Sequence, residues 1–491
     1  MADRATTKPN ILYIMSDDHA SNAIGAYGSR LAGLNPTPTI DGLARRGMRF
    51  DRVFCNNSIC TPSRASIVTG QYSQTNGALI LGDALPPERQ HLPREMKKAG
   101  YETAMIGKWH LGAEPAAFDY YCVLPGQGRY FDPQFRLRGE AAWPDQVVTK
   151  EGMHSTDAVT DMSLKWLDRV RDKKKPFFLM HHFKAPHDMF ENAPRYDEYL
   201  KDATIPEPDN LHDQPQDGFG SIATRPYGAG LTKNHPSWGM ARKLGIDENL
   251  PEPEHGGQAY QALLKRYLRC VKGIDDNVRR LIRYLEESGE LDNTIIIYTS
   301  DQGYLLGEHD LIDKRWMYEE SMKMPFIVCG PGVAAGSSNA WLINNTDFAP
   351  TLLDLAGIDQ TPEYMQGRSF AAALQGEEKP ADWRTVTYYR YWMHMAHSLR
   401  VPAHFGIRDD RHKLIFFYGC DPDGGNPTPV AWEFYDCAND PFENTNRYGD
   451  AAYQDTIARM KRQLLETREE LCETDRGYPA VQKVINEHWD D

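Results

Sequence analysis

The sequence has no hydrophobic run long enough to cross a bilayer, no cysteines at metal-knuckle spacing and no excess of basic residues. The missing apolar run excludes a transmembrane helix, so no membrane partner is expected. Met1 to Asn10 lacks the apolar core of a signal peptide. The expectation is a cytoplasmic protein as written, or a secreted or periplasmic one if a signal has been trimmed away. Eight cysteines, at positions 55, 60, 122, 270, 329, 420, 437 and 472, form no C-x-x-C pair and no evident disulfide framework. With 55 Lys and Arg against 69 Asp and Glu, the formal charge of -14 argues against a nucleic-acid partner. A polyanionic substrate would then require its basic residues to be gathered locally.

What is present is a chain of 491 residues, 41% of them hydrophobic, long enough for a large core and more than one ordinary domain. A composition change at Gly376-Glu377-Glu378-Lys379-Pro380 suggests a division into 1–375 and 376–491. In the second part, Arg384 to Tyr391, Ala403 to Arg408 and His412 to Tyr418 have the pattern of antiparallel strands, and Asp455 to Leu471 that of a helix. Tyr260 to Leu285 carries an amphipathic stripe that belongs to a core. Phe118 to Asp145 reads as an aromatic, Gly-rich loop. Lys201 to Gly257 reads as a long irregular segment, expected to wall a cleft.

Four polar clusters stand at the ends of short β-like runs. Asp17-Asp18 follows Ile11 to Met15, Gly107-Lys108-Trp109-His110 follows Thr103 to Ile106, Lys184-Ala185-Pro186-His187 follows Pro176 to Phe183, and Asp301-Gln302-Gly303 follows Ile295 to Tyr298. In an open α/β sheet the carboxyl ends of the strands line one crevice, where distant clusters meet. Adjacent carboxylates such as Asp17 and Asp18 repel unless a cation separates them, and oxygen donors suit calcium or magnesium. Lys108 and His110, two apart on an extended segment, point the same way and can face one anion. Cys60-Thr61-Pro62-Ser63-Arg64 places a thiol at a turn before a potential helix, where backbone N–H groups favour negative charge. Taken alone, that cysteine reads as a buried thiol in a Pro-containing turn.

Together, C-T-P-S-R, the early D-D pair, G-K-W-H and D-Q-G resemble the type I sulfatases of the alkaline phosphatase superfamily, over nearly the whole chain. The resemblance implies an alkaline-phosphatase-like α/β fold, a mixed and mostly parallel sheet flanked by helices, with a smaller C-terminal α+β subdomain. It implies a sulfuric ester hydrolase in which a maturation enzyme oxidises Cys60 to formylglycine, whose hydrate attacks sulfur. The implied metal site, Ca2+ with Mg2+ as the alternative, comprises Asp17, Asp18, Asp301, Gln302 and the residue made from Cys60. Gln302 departs from the commoner asparagine. Arg64 would hold the hydrated aldehyde and the carboxylates, Lys108 would stabilise the diol and sulfate, and His110 would act as the base that ends the cycle. His187 and Lys314 would meet the sulfate and leaving oxygen.

Further residues are expected at the substrate. Lys184 could meet a substrate charge, His309 in Gly307-Glu308-His309-Asp310 lies near Lys314, and His404 follows Tyr391, Trp392 and His394 in a region suited to sugar binding. The combined motifs look more like carbohydrate sulfatases than aryl or choline sulfatases. The expected partner is a sulfated glycan, with a chondroitin- or dermatan-type sulfated hexosamine as the leading expectation. Two other readings stay open: a phosphonate monoester or phosphodiester hydrolase of the same superfamily, and a non-catalytic glycan-binding homologue. The oligomeric state is not readable.

Overall fold

Strands buried on both faces need apolar side chains pointing both ways, and the first strand meets that requirement. In β1 (Asn10–Ser16), Ile11, Tyr13 and Met15 join one core while Leu12 and Ile14 join another on the opposite side of the sheet. The computed structural model describes residues 8–491 except 140, 141, 146, 213–219, 221–223, 225 and 359.

The principal sheet has ten strands. In chain order they are β1, β2 (Met48–Phe50), β3 (Glu102–Lys108), β4 (Tyr120–Leu124), β5 (Gln134–Leu137), β6 (Val148–Thr149), β7 (Phe177–His182), β8 (Thr294–Ser300), β9 (Phe326–Cys329) and β10 (Ser337–Asn339). Their spatial order is β10-β2-β9-β8-β1-β7-β3-β4-β5-β6. The centre, β8-β1-β7-β3-β4, is parallel, whereas β9 pairs antiparallel with both β8 and β2, and β5 pairs antiparallel with β4. This is the mixed, mostly parallel, alkaline-phosphatase-like sheet. Helices cover both faces: α1 (Pro38–Arg46), α3 (Ser155–Lys165) and α4 (Glu254–Glu287) supply residues to one core, while α2 (Cys60–Thr69) and α5 (Phe348–Leu355) supply the other.

A four-stranded antiparallel sheet follows, built from β11 (Thr387–Tyr391), β12 (His404–Arg408), β13 (His412–Phe417) and β14 (Ala431–Asp436). One face packs Phe405, Ile407, Leu414 and Phe416 against Ile457, Met460 and Leu464 of α6 (Gln454–Glu470) and Val481 and Ile485 of α7 (Pro479–His488). The other face sends Tyr389, Tyr391, Ile415 and Phe417 into the core below the principal sheet. No described helix is long and apolar enough to cross a membrane.

Several sequence expectations change at this level. The Phe118 to Asp145 segment is not only loop, because its aromatic and β-branched residues extend the sheet as β4 and β5. Ala431–Asp436 adds a fourth strand, β14, to the three antiparallel strands expected, and its Phe434 is completely buried. Helix α4 begins at Glu254, immediately after Pro253, so the irregular segment ends sooner than expected. Part of that segment, with its expected role in walling the cleft, lies outside the described residues.

Candidate active site

Strand register brings the polar clusters together. Ser16 pairs with Ser300, Met15 with His182, and Gly107 with His182. The next residue along β1 is therefore Asp17, the next along β8 is Asp301, and the last of β3 is Lys108. The Asp301 N–H donates to Ser16 O at 3.2 Å, and the Asp17 N–H donates to Ala185 O at 3.1 Å. These backbone bonds stitch three strand ends into one crevice before any side chain acts.

Cys60 is the first residue of α2, and all ten residues of that helix are buried. Its Sγ lies 3.4 Å from Asp17 Oδ1, 3.8 Å from Gln302 Nε2 and 3.9 Å from Lys108 Nζ. Burial and the Asp17 charge push the Cys60 thiol well above its ordinary pKa, and Lys108 and Lys314 only partly oppose them. One helical turn on, Arg64 donates through Nε to Asp301 Oδ2 at 2.9 Å, and its Nη2 lies 3.4 Å from Asp17 Oδ1. A guanidinium with 1% exposure thus spans the two carboxylates. The imidazole Nδ1 of His182 lies 3.5 Å from Arg64 Nη1, which also donates to Lys108 O.

Asp17, Asp18 and Asp301 present carboxylate oxygens within 4.8 Å of one another, all completely buried. Burial and then Asp17 push the Asp301 carboxyl up to about 8, whereas Lys108, His187 and Arg64 outweigh burial at Asp17 and hold it well below the carboxylate range. The contrast lies in which charges act on each group: Lys108, His187 and Arg64 all favour the Asp17 carboxylate, whereas at Asp301 Arg64 is outweighed by burial and by repulsion from Asp17 and Asp18. The Asp18 N–H donates to Asp301 Oδ1 at 3.1 Å, and Gln302 Nε2 donates to Asp18 Oδ1. Gln302 Oε1 is buried without a hydrogen-bond partner. Three buried, mutually repelling carboxyls together with an orphaned amide oxygen fit a hard divalent cation, and these four side chains would hold it. Rotating the amide end for end would turn its oxygen toward Asp18 without moving the chain.

Cationic groups surround this cluster. Lys108 Nζ donates to Asp17 Oδ2 and, at 2.5 Å, to Gln127 Oε1. Lys314 Nζ donates to Asp18 Oδ2 at 2.5 Å and lies 5.7 Å from the centre of the Tyr304 ring. Burial opposes the Lys314 charge, but Asp18, Cys60 and Asp313 outweigh it and raise its pKa well above normal. His187 Nε2 is 3.8 Å from Asp18 Oδ2, and its Nδ1 is 2.6 Å from Asp188 Oδ1. Burial, Lys108 and Arg64 lower the His110 pKa to about 2, so that imidazole is neutral, and its buried Nδ1 has no hydrogen-bond partner. Lys184 is 5% exposed, with Nζ 4.7 Å from the centre of the Tyr130 ring. Burial and Lys108 lower its pKa to about 8.

The crevice therefore gathers Asp17, Asp18, Cys60, Arg64, Lys108, His187, Asp301, Gln302 and Lys314, with Lys184 and His110 close by. His404 does not join them. Its ring is completely buried in the C-terminal sheet, stacked with Tyr389 at 5.6 Å and Trp316 at 6.1 Å, and its Nδ1 bonds Pro402 O at 2.8 Å. A ring enclosed in this way cannot touch a glycan, which corrects the substrate-binding expectation. His309 is buried in a tight turn, where Nε2 meets Phe442 O at 2.6 Å and its N–H donates to Asn210 Oδ1 at 3.1 Å. Sequence reasoning missed Asp188, although its place beside His187 was a signal, and missed Gln127, for which the Gly-rich loop gave none.

The fold is that of the alkaline phosphatase superfamily, and the site gathers a carboxylate cluster suited to a divalent cation beside buried cationic groups. A family model described as "Sulfatase" matches residues 9–358, and one described as "N-sulphoglucosamine sulphohydrolase, C-terminal" matches residues 307–470. The chain belongs to the sulfatase family and is a sulfuric ester hydrolase. It is 39% identical to an N-acetylglucosamine-6-O-sulfatase of Bacteroides thetaiotaomicron, over 96% of this chain and 88% of that protein. It is 27% identical to the human N-acetylglucosamine-6-sulfatase, over 79% of this chain and 68% of the relative. A solved structure in complex with its substrate, D-glucosamine-2-N,6-O-disulfate, superposes with a TM-score of 0.85 at 36% identity, covering 96% of this chain and all of that one. A phosphonate monoester hydrolase from Silicibacter pomeroyi shares the fold, with a TM-score of 0.71 at 22% identity over 94% of this chain and 95% of the other.

Proposed function

We propose that this sulfatase removes the 6-O-sulfate of a glucosamine residue in a sulfated glycan, using formylglycine made from Cys60. The observation that carries the reading is the 39% identity with an N-acetylglucosamine-6-O-sulfatase across 96% of the chain. It replaces the chondroitin- or dermatan-type substrate as the preferred reading. A buried thiol whose pKa is pushed up remains protonated and is a poor nucleophile, which supports conversion before use. Hydrated formylglycine would supply a nucleophilic oxygen and a second hydroxyl, whose deprotonation could re-form the aldehyde and expel sulfate by breaking the carbon–oxygen bond to it. A bound Ca2+ or Mg2+ would supply Lewis-acid polarisation at the sulfate.

The chain's own residues do the remainder. Lys108 and Lys314 are held against Asp17 and Asp18, where their ammonium groups can neutralise charge that develops on the sulfate oxygens as the S–O bond breaks. The Asp188 carboxylate fixes the His187 Nδ1 proton and leaves Nε2 toward Asp18, where a protonated imidazole can donate to the departing sugar oxygen. The resemblance gives His110, whose buried Nδ1 has no hydrogen-bond partner, the role of accepting the proton released when sulfate is expelled.

A panel of N-acetylglucosamine-6-sulfate, glucosamine-2-N-sulfate, chondroitin disaccharide sulfates, a phosphonate monoester and a phosphodiester tests this, assayed with protein co-expressed with a maturation enzyme. Sulfate release from the 6-sulfate, lost in Cys60→Ala while the folded spectrum is kept, is the expected result. The C-terminal model match favours a second reading, cleavage at the 2-N-sulfate, and release from that substrate alone would establish it. Turnover of only the phosphorus esters would move the protein to the hydrolases of that class.

A further inference from the structure

Lys314 is carried on a strained segment. Asp313 and Arg315, both non-glycine, have φ of 84° and 88°. Such conformations cost on the order of 1–3 kcal/mol each and persist only where neighbouring contacts hold them. Those contacts come from the C-terminal sheet. Arg315 donates to Asp313 Oδ2 at 3.0 Å and to Tyr391 Oη at 2.9 Å, and its Nη2 lies 3.3 Å from His397 Nδ1. Its carbonyl accepts the Tyr389 hydroxyl at 2.6 Å.

The same Tyr389 oxygen accepts the backbone N–H of Ser58 at 3.1 Å. Ser58 stands two residues before Cys60, and Arg315 stands one residue after Lys314. A single phenol thus donates to the lysine segment and accepts from the nucleophile segment, using one proton and one lone pair. Tyr389 is completely buried on β11, and Tyr391, two positions on, supports Arg315. Ser58 Oγ is fixed separately by Ser321 O at 2.6 Å, so its main-chain N–H depends on the phenol.

We propose that Tyr389 is a positioning residue that sets the spacing between the residue-60 nucleophile and Lys314, so that the C-terminal subdomain completes the catalytic geometry without touching substrate. This rests on the assignment of Lys314 to the leaving oxygen. A cation aligned with that oxygen matters more when the departing group is a poor one, so loss of alignment should fall unequally on different esters.

Tyr389→Phe removes one oxygen and keeps the ring. With turnover normalised to the fraction of Cys60 converted, kcat for a sugar 6-sulfate should fall on the order of tenfold or more with KM nearly unchanged. For 4-nitrophenyl sulfate, whose leaving group needs little assistance, the fall should be smaller. Tyr391→Phe, which loosens Arg315 but leaves the junction intact, should have a lesser effect in both assays. The crystal structure of Tyr389→Phe provides a readout without turnover, with Lys314 Nζ expected to move relative to residue 60. An unmoved lysine together with unchanged kcat, or an equal loss on both esters accompanied only by a lower Tm, would overturn the assignment. Failure of the wild type on the sugar sulfate would overturn the substrate reading, while the crystallographic comparison would still decide the role of Tyr389.

Discussion

At residue scale the site is an electrostatic bargain that one ion completes. Asp17, Asp18 and Asp301 face Arg64, Lys108 and Lys314, yet burial still drives the Asp301 carboxyl up to about 8. Asp301→Asn keeps the volume and an acceptor oxygen for Arg64, so the metal-free variant should keep a Tm close to that of the wild type. The wild type is expected to gain Tm on adding Ca2+, since ligand binding to the folded state adds stability by mass action, and the variant to lose that gain. Differential scanning fluorimetry of both proteins, with Ca2+ and with chelator, checks this, and an undiminished Ca2+ shift in the variant would refute it. Lys314→Met, which keeps the stem and removes the charge, should lower kcat for sugar sulfates by about two orders of magnitude, measured as sulfate release.

At the scale of elements, the strands place these residues and small side chains let them approach. Gly107 precedes Lys108 with φ 106°, and a Cβ there would lie 1.9 Å from the His182 carbonyl of the neighbouring strand. Gly107→Ala should strain the β3–β7 pairing, destabilise the fold by about 1–3 kcal/mol and displace Lys108. Thermal unfolding and kcat should fall together, and a variant with wild-type values in both would show that the strand yields locally. Gly303, after Gln302, is similarly confined, since its Cβ would meet Glu320 O at 2.1 Å.

At the scale of the whole molecule, several histidines are buried as neutral rings. Burial lowers His19, His181 and His404 to about 3. Their folded pKa lies below the unfolded value of 6.5, so the stability they contribute is present above about pH 6.5 and is lost as pH falls toward 3. The protein should soften in mild acid. His404→Phe, placed among Trp316, Tyr389 and Phe417, should remove one such contribution, worth roughly 2 kcal/mol at pH 5. Urea denaturation of both proteins at pH 7.5 and pH 5 tests the sign: the gap between the two pH values should narrow in the variant.

The sequence alone pointed to the class and to much of the site, because strand ends in a parallel sheet converge: the D-D pair, G-K-W-H and D-Q-G sit at such ends, and C-T-P-S-R opens helix α2. Those signals are local, a short motif beside an apolar run, and they singled out Cys60, Lys108 and Asp301, while Lys314 came from the family resemblance. The tertiary structure decided what no local pattern encodes. Ser58 and Tyr389 meet from 331 residues apart, Gln127 reaches Lys108 from a Gly-rich loop, and His404 turns inward on a strand whose alternation gave it no distinguishing mark. Residue type and spacing fix which groups can stand at a strand end. Which of them meet depends on sheet register and on the C-terminal sheet packing against the main core, and those are set by contacts between segments far apart in the chain.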